Sequence, residues 1–325
     1  MSRDASPMVR DVAEGGEYSW AHRAFLQAFQ THSVMTVDEI KPVLANILTV
    51  HNPERPYTTG DITQPQITNH IQLINARLAP FDYEIRSTRD QHTKSTVYAL
   101  INSTSDALTQ LATRFTPSEI AYVRRLLDCM FDTNNTHSRE VMALKHTEAS
   151  QLARPSRRGR HSQANGHGED GEASQAAVDT GISIAEADGI LETLVHDAFF
   201  QKSRAGYFSL APRALMELRT YLKETYNDEE EVDAGDVKIR DCEGCREIVT
   251  FGIRCNDRNC GVRWHDACAN SYYRGRSREN RTCPKCETVC SGDVYVGERV
   301  ITASAAARGR GRSERHEEDE EEDDE

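Results

Sequence analysis

Residues 242–286 read Cys242-x2-Cys245-x9-Cys255-x4-Cys260-x4-His265-x2-Cys268-x14-Cys283-x2-Cys286. Seven of the chain's nine cysteines and one histidine fall in this stretch. Thiolate sulfur and imidazole nitrogen are the ligands zinc prefers, and zinc takes four of them in a tetrahedron. Eight ligands therefore predict two closed structural sites and two zinc ions. The x2 spacings let two side chains of one tight turn face one ion. A disulfide framework is the competing reading. No N-terminal stretch reads as a signal peptide, and no run of about 18 apolar residues occurs. An intracellular chain is expected, in which thiols stay reduced and Cys-x2-Cys pairs bind metal.

Two topologies can pair these ligands. In a sequential arrangement the first four share one ion. In a cross-brace, pairs one and three share one ion and pairs two and four the other. The long x9 and x14 gaps favour the cross-brace, because each must span the other site. That assigns Cys242, Cys245, His265 and Cys268 to the first zinc. Cys255, Cys260, Cys283 and Cys286 go to the second. RING and PHD fingers have this architecture. PHD fingers usually carry an aromatic residue two places before the seventh ligand; here it is Arg281, which favours a RING-like module. Cys290 is expected to be a bystander.

The 325 residues suggest two or three domains, and 38% hydrophobic content suits ordinary small cores separated by polar stretches. The net charge of −13 is uneven: residues 314–325 hold ten acids and one arginine, a net of −9, leaving about −4 elsewhere. Such a chain is not an obvious non-specific nucleic-acid binder.

Upstream, residues 1–17 are polar and read as disordered. Trp20, Ala24, Phe25, Ala28 and Phe29 share one helical face. Thr36 and Glu39 form a capping box for a second helix bearing Ile40, Val43, Leu44, Ile47 and Leu48, with Pro42 marking a kink or a later start. Pro65 suits the first turn of a third helix carrying Ile67, Ile71, Ile74 and Leu78. Residues 81–86 and 95–101 read as two strands about a polar turn at 87–94. Three helices and then a hairpin is the winged-helix order, over 18–104. The pattern recurs over 105–227. Thr116, Pro117 and Glu119 start a helix through Ile120, Val123, Leu127 and Met130. A short helix is expected through Val141 and Leu144, then a helix capped by Ser183, a strand at 207–210 and a last helix through Leu215, Leu218 and Leu222. Residues 153–181, rich in Gly, Ser, Gln and Ala, read as a disordered insertion. An acidic hinge (228–240) precedes the RING-like domain (241–296), and 297–325 reads as a disordered acidic tail. The fold class is thus α+β multidomain: two tandem winged helices, then a small two-zinc cross-brace domain.

This combination resembles non-structural maintenance of chromosomes element 1, as a fungal member of that family, over residues 18–296. The zinc motif carries most of the resemblance. The family implies a subunit of the DNA-repair complex of the fifth and sixth structural-maintenance-of-chromosomes proteins, nuclear and chromosomal, acting in homologous recombination. It implies a MAGE-like element 3 partner, paired through the winged helices, and a kleisin element 4 partner. It also implies a RING-type ubiquitin ligase activity stimulated by the MAGE-like partner. DNA contact would be indirect, through the complex.

A RING ligase does no covalent chemistry. It holds a conjugating enzyme and its thioester-linked ubiquitin near attack geometry, a proximity effect. No catalytic residue is expected, because four protein ligands leave zinc no open position. A RING does need an apolar groove for the conjugating enzyme. Pro284, just after the seventh ligand, stands where many RINGs carry a groove proline. Ile248 and Val249, past Cys245, are candidates for the aliphatic wall. Trp264 is groove or core. Pro284 also has a structural role, since proline suits a zinc-knuckle turn. Many active RINGs place an arginine after the eighth ligand; Glu287 stands there, accepts only, and cannot replace a guanidinium. The alternative is a non-enzymatic scaffold. Helices 65–79 and 184–200 lack basic readout faces and argue for protein docking over DNA reading. Arg274, Arg276, Arg278 and Arg281 form either a solvated loop or a contact for DNA or an acidic surface.

Overall fold

The computed structural model describes residues 18–103, 114–155, 181–227 and 237–303. The disorder expected at 1–17, and most of that expected in the insertion, hinge and tail, lies outside them. The described residues form two compact units. The first runs to Arg89 and resumes over Ser95–Thr104; the second takes the remainder, including the cysteine-rich stretch. Among the described residues no helix is long and apolar enough to cross a membrane.

In the first unit, α1 (Trp20–His32), α2 (Val37–His51) and α3 (Gln64–Leu78) cover a three-stranded antiparallel sheet of order β1 (Val34–Thr36), β3 (Thr96–Asn102), β2 (Tyr83–Arg89). Phe25, Phe29, Ile40, Leu44, Ile67, Ile71 and Ile74 supply one face from each helix to the core. The α2 capping box forms as the sequence requires: Glu39 N donates to Thr36 Oγ1 (3.4 Å), and Thr36 N donates to Glu39 Oε2 (2.7 Å). Pro42 neither delays nor ends the helix. It lies on the exposed face, where water can satisfy the carbonyl that loses its intrahelical donor. β1 was not anticipated; three residues carry no period of their own and are extended because Val34, Met35 and Thr36 pair with Ala99, Tyr98 and Val97.

In the second unit, α4 (Pro117–Asp128) opens with Pro117 after a Thr116 cap and buries Tyr122, Val123, Leu126 and Leu127. A π-helical turn, Cys129–Thr133, leads into a two-stranded ribbon, β4 (Asn135–Thr136) and β5 (Arg139–Glu140). No helix passes through Val141 and Leu144: Met142 has φ +44°, which breaks helical continuation, and Leu144 enters β6 (Leu144–Lys145). A helix begins only at α5 (His146–Gln151). α6 (Ile184–His196) is capped by Ser183. β7 (Phe200–Lys202) and β8 (Tyr207–Leu210) complete a sheet of order β6, β8, β7, and α7 (Pro212–Glu217) and α8 (Arg219–Tyr226) follow. The rims of the insertion are stitched together, because Ile182 N donates to Ala153 O (2.9 Å) and Ala153 is buried.

Residues 237–240, assigned from sequence to the hinge, are tied to the end of α8. Lys238 N and Ile239 N donate to Asn227 Oδ1 (3.0 and 2.8 Å), and Asn227 Nδ2 donates to Ile239 O (2.9 Å). Residues 297–303, assigned to the tail, also belong to the folded unit. Gly297 N donates to Glu140 O (2.7 Å), and Val300 and Ile301 pack on Val141, Ala143 and Tyr207. Apolar side chains at 300 and 301 find a shelf that no local pattern announces.

Candidate metal centre

The cysteine-rich stretch has little regular structure: β9 (Gly252–Arg254) between β10 (Arg263–Trp264) and β11 (Tyr295–Val296), plus α9 (Asp266–Tyr272). Four ligand-bearing loops emerge from this frame. At Gly252 a Cβ would lie 2.0 Å from Trp264 O, so only glycine lets β9 approach the strand that leads into His265.

The eight side chains gather in two groups of four. Cys242, Cys245, His265 and Cys268 converge in one; Cys255, Cys260, Cys283 and Cys286 converge in the other. Within each group all ligand atoms lie within 4.8 Å of one another. The pairs therefore alternate along the chain rather than filling one site before the next. Cys245 Sγ is 3.2 Å and Cys268 Sγ 4.0 Å from His265 Nδ1. Cys255 Sγ lies 3.5 Å from Cys286 Sγ, and Cys260 Sγ 3.6 Å from Cys283 Sγ. Zinc bonds of about 2.3 Å to sulfur and 2.0–2.1 Å to nitrogen imply tetrahedral edges of about 3.8 Å between sulfurs and about 3.5 Å between sulfur and nitrogen. The side chains fit that ion.

The surroundings also suit a metal. His265 Nε2 lies 3.1 Å from Ile248 O, so a proton on Nε2 would leave the Nδ1 lone pair free to bind. Without a cation, ionising one thiol of a group opposes ionising its neighbours. A hydrogen bond from Cys245 pulls Cys242 down to about 3, while Cys245 is pushed up by the same pairing and by burial. Burial also pushes Cys255 up and Cys260 up to about 11. A divalent ion at the centre of each group would stabilise the three thiolates of the first and the four of the second, and so relieve this conflict.

The two Cys-x2-Cys knuckles share a geometry. Arg246 N donates to Cys242 O (2.9 Å) and Glu287 N to Cys283 O (3.1 Å), and Arg246 and Glu287 both adopt positive φ, +64° and +59°. Cys290 is buried but belongs to neither group.

The expected aliphatic wall of the groove, Ile248 and Val249, is corrected, and of the two readings of Trp264 the core is the one observed. Ile248, Val249 and Trp264 are 2%, 1% and 3% exposed and belong to the core of the second unit. Ile248 bridges back to Asp241, and Val249 N donates to Arg240 O (3.0 Å), so the chain past Cys245 turns inward. The Trp264 indole lies under the first knuckle: a Cβ at Gly244 would come within 3.2 Å of its ring. Tyr272 stacks on the same indole at 4.7 Å. Pro284 is exposed, as is Val289. Glu243 of the first knuckle pairs with Lys285 of the second at 3.4 Å.

Sequence reasoning missed the feature that fixes the module to its unit. Glu140 of β5 is buried and takes three charge-assisted hydrogen bonds: from Arg254 Nη1 (2.7 Å), Arg263 Nε (2.7 Å) and Arg263 Nη2 (2.5 Å). Arg263 Nη1 also donates to Cys260 O (2.8 Å), so the cluster reaches a ligand's backbone. A second contact pairs Arg219 with Asp241 and Glu247, and Lys223 with Asp241. Isolated charges in polar stretches carry no signal that foretells such pairings.

Comparison with known proteins agrees with this geometry. Residues 22–218 match the family model described as Nse1 non-SMC component of SMC5-6 complex, and residues 242–286 match a RING-like domain. The chain is similar to the non-structural maintenance of chromosomes element 1 homolog of Bos taurus, 24% identical over 86% of this chain and 87% of the relative. The Homo sapiens homolog is 24% identical over 82% of each chain, and that of Drosophila melanogaster 23% identical over 81% of this chain and 92% of its own. Among solved structures, a chain of an Nse1-Nse3-Nse4 complex shares the fold, with a TM-score of 0.60 and 19% identity over 84% of this chain and 96% of that one.

Proposed function

The chain belongs to the family of Nse1 non-SMC components of the SMC5-6 complex, and from that premise we propose that it is a RING-type ubiquitin ligase subunit whose activity depends on its partners. In this reading each ligand group holds one zinc ion, and zinc supplies structure rather than a reaction centre. Nse3, a MAGE-like subunit, and Nse4, a kleisin, are its partners, bound through the helical faces of winged-helix domains. The complex acts in the nucleus on chromosomes, in repair by homologous recombination.

The alternation of the two ligand groups carries this reading, because it sets two loops side by side on one surface, with Pro284 exposed on the second. The chain's own residues would bind and orient a charged conjugating enzyme; none would form a bond to ubiquitin. The inward turn of Ile248 and Val249 removes the aliphatic wall, and Glu287 supplies no guanidinium, so the module alone is a weak recruiter. The test is discharge of ubiquitin from a loaded conjugating enzyme onto free lysine, with and without Nse3. Acceleration only with Nse3 is expected. No acceleration in either case, with both metal sites filled, would overturn the ligase reading.

A specific observation favours a second reading. The Glu140 cluster and the Arg219–Asp241 contacts fix the module to the rest of its unit. A non-enzymatic scaffold would need that rigidity and nothing more. The same assay separates the two.

A further inference from the structure

A cavity of about 240 Å³ opens on the cysteine-rich module, lined by Arg281, Arg299, Asp266, Asn270, Tyr273 and Tyr295 among others. It is smaller than pockets for drug-sized ligands, which run roughly 300–1,000 Å³, and suits one small charged group. Its polar lining is out of balance. Arg299 Nη2 donates to Asp266 Oδ1 and Gly252 O, both at 2.8 Å, and the guanidinium lies between the rings of Phe251 and Tyr295. Asp266 is thereby engaged. Arg281 packs its guanidinium on Tyr273 and, among the described residues, has no carboxylate within ion-pair distance. The Nε–H groups of both arginines are buried and meet no acceptor. Buried donors of this kind ordinarily find a partner, and leaving them unpaired is costly. An oxyanion in the cavity would supply the acceptors.

Two residues of the cavity wall, Tyr273 and Arg281, bracket a charged loop in the sequence. Arg274, Arg276 and Arg278 are exposed at alternate positions just before Arg281. Arg276 lies over the Tyr272 ring, which is 38% exposed. A single carboxylate or phosphate would be satisfied by the cavity alone. Tyr272 carries Trp264 and Arg276 on its ring, so the surface addresses the backbone: a row of cations ending in a small anion cavity fits a flexible chain of phosphates that can bend to seat one of them. We propose that this surface binds the backbone of a single-stranded nucleic acid, with one phosphate seated between Arg281 and Arg299 and its neighbours tracked by Arg274, Arg276 and Arg278. The contact is direct, unlike the indirect one implied by family resemblance, and is independent of whether a conjugating enzyme docks on the knuckles.

The test is fluorescence anisotropy of a labelled oligodeoxythymidylate with the full-length, zinc-loaded chain, titrated over a range of salt. Two variants are compared: Arg281→Gln and the triple Arg274→Gln/Arg276→Gln/Arg278→Gln. None of the four side chains touches a ligand group, so zinc content and melting temperature should be unchanged. Arg281→Gln should weaken binding about tenfold. The triple variant should weaken it further and flatten the slope of log affinity against log salt by about 2, from roughly 0.7 per phosphate contact on a single strand. Unlabelled polyglutamate of equal charge should compete poorly. The proposal is overturned if the wild-type chain does not bind, if both variants keep the wild-type affinity and slope, or if polyglutamate competes as well as the oligonucleotide. That last result would assign the surface to an acidic protein.

Discussion

Replacing Glu140 should detach the metal-binding module from its unit. The Glu140 side chain is 7% exposed, and the side chains of Arg254 and Arg263 that it pairs are each 3% exposed. Glu140→Ala removes one anion and leaves two cations in a site closed to water. Breaking a buried pair from one side costs roughly 3–5 kcal/mol, chiefly because the remaining charge stays uncompensated. Two stranded arginines place this variant at the upper end. Native domains hold only about 5–15 kcal/mol in all. At about 2–4 °C per kcal/mol for a domain of roughly 150–250 residues, the second unit should melt about 10–20 °C lower. Glu140→Gln keeps the shape and one acceptor and should lose about half as much. Scanning calorimetry measures the melting, and limited proteolysis between residues 227 and 242 reports undocking. Replacing all three charges with apolar residues should recover only part of the loss, since Arg263 Nη1 also serves Cys260 O and Val262 O. A Glu140→Ala variant that melts within about 3 °C of wild type would refute the reasoning, since a buried pair must cost more than 1 kcal/mol to break.

Further outcomes follow from other sites. Burial, with His70 and His51 nearby, holds His22 down to about 4, against 6.5 when unfolded, and its Nδ1 accepts from Ser19 N (3.0 Å). Below 6.5 the unfolded chain takes up a proton that the folded chain refuses, so the first unit should lose stability from pH 6.5 to about 4, by roughly 3 kcal/mol at most; a His22→Asn variant that keeps the wild-type pH dependence of melting would contradict this. Glu287 is exposed and already at positive φ, so Glu287→Arg adds a guanidinium with no new backbone strain. With Nse3 present it should raise ubiquitin discharge about tenfold, for about 1.4 kcal/mol of barrier, while Pro284→Ala should lower it with both metal sites filled; unchanged rates in both variants would favour the scaffold. Cys290→Ser should leave zinc content unchanged in metal analysis, since its Sγ donates to Thr288 O (3.6 Å) and joins neither group.

What could be read from the chain depended on how locally each feature is encoded. The ligands were legible because metal chemistry restricts residue type and spacing together, and the long gaps distinguish alternating from sequential sites. Capping boxes at Thr36, Thr116 and Ser183 were legible because donor and acceptor lie three residues apart. The orientation of Ile248, Val249 and Trp264 was not legible, since proximity in sequence to Cys245 or His265 does not say which side of a knuckle faces water. Val141 and Leu144 mimic a helical step, and only the positive φ of Met142 shows that the chain turns there. Glu140 was invisible because its partners are 114 and 123 residues away.

The most direct test of the account is the metal itself. Full-length protein, analysed for metal and by zinc X-ray absorption, should contain two zinc ions per chain. Seven sulfurs and one nitrogen shared by two ions give an average of about 3.5 sulfurs at about 2.3 Å and about 0.5 nitrogen at about 2.0–2.1 Å per ion. One zinc per chain, or a first shell containing water oxygen in place of sulfur, would contradict two closed interleaved sites and with them the RING-type reading.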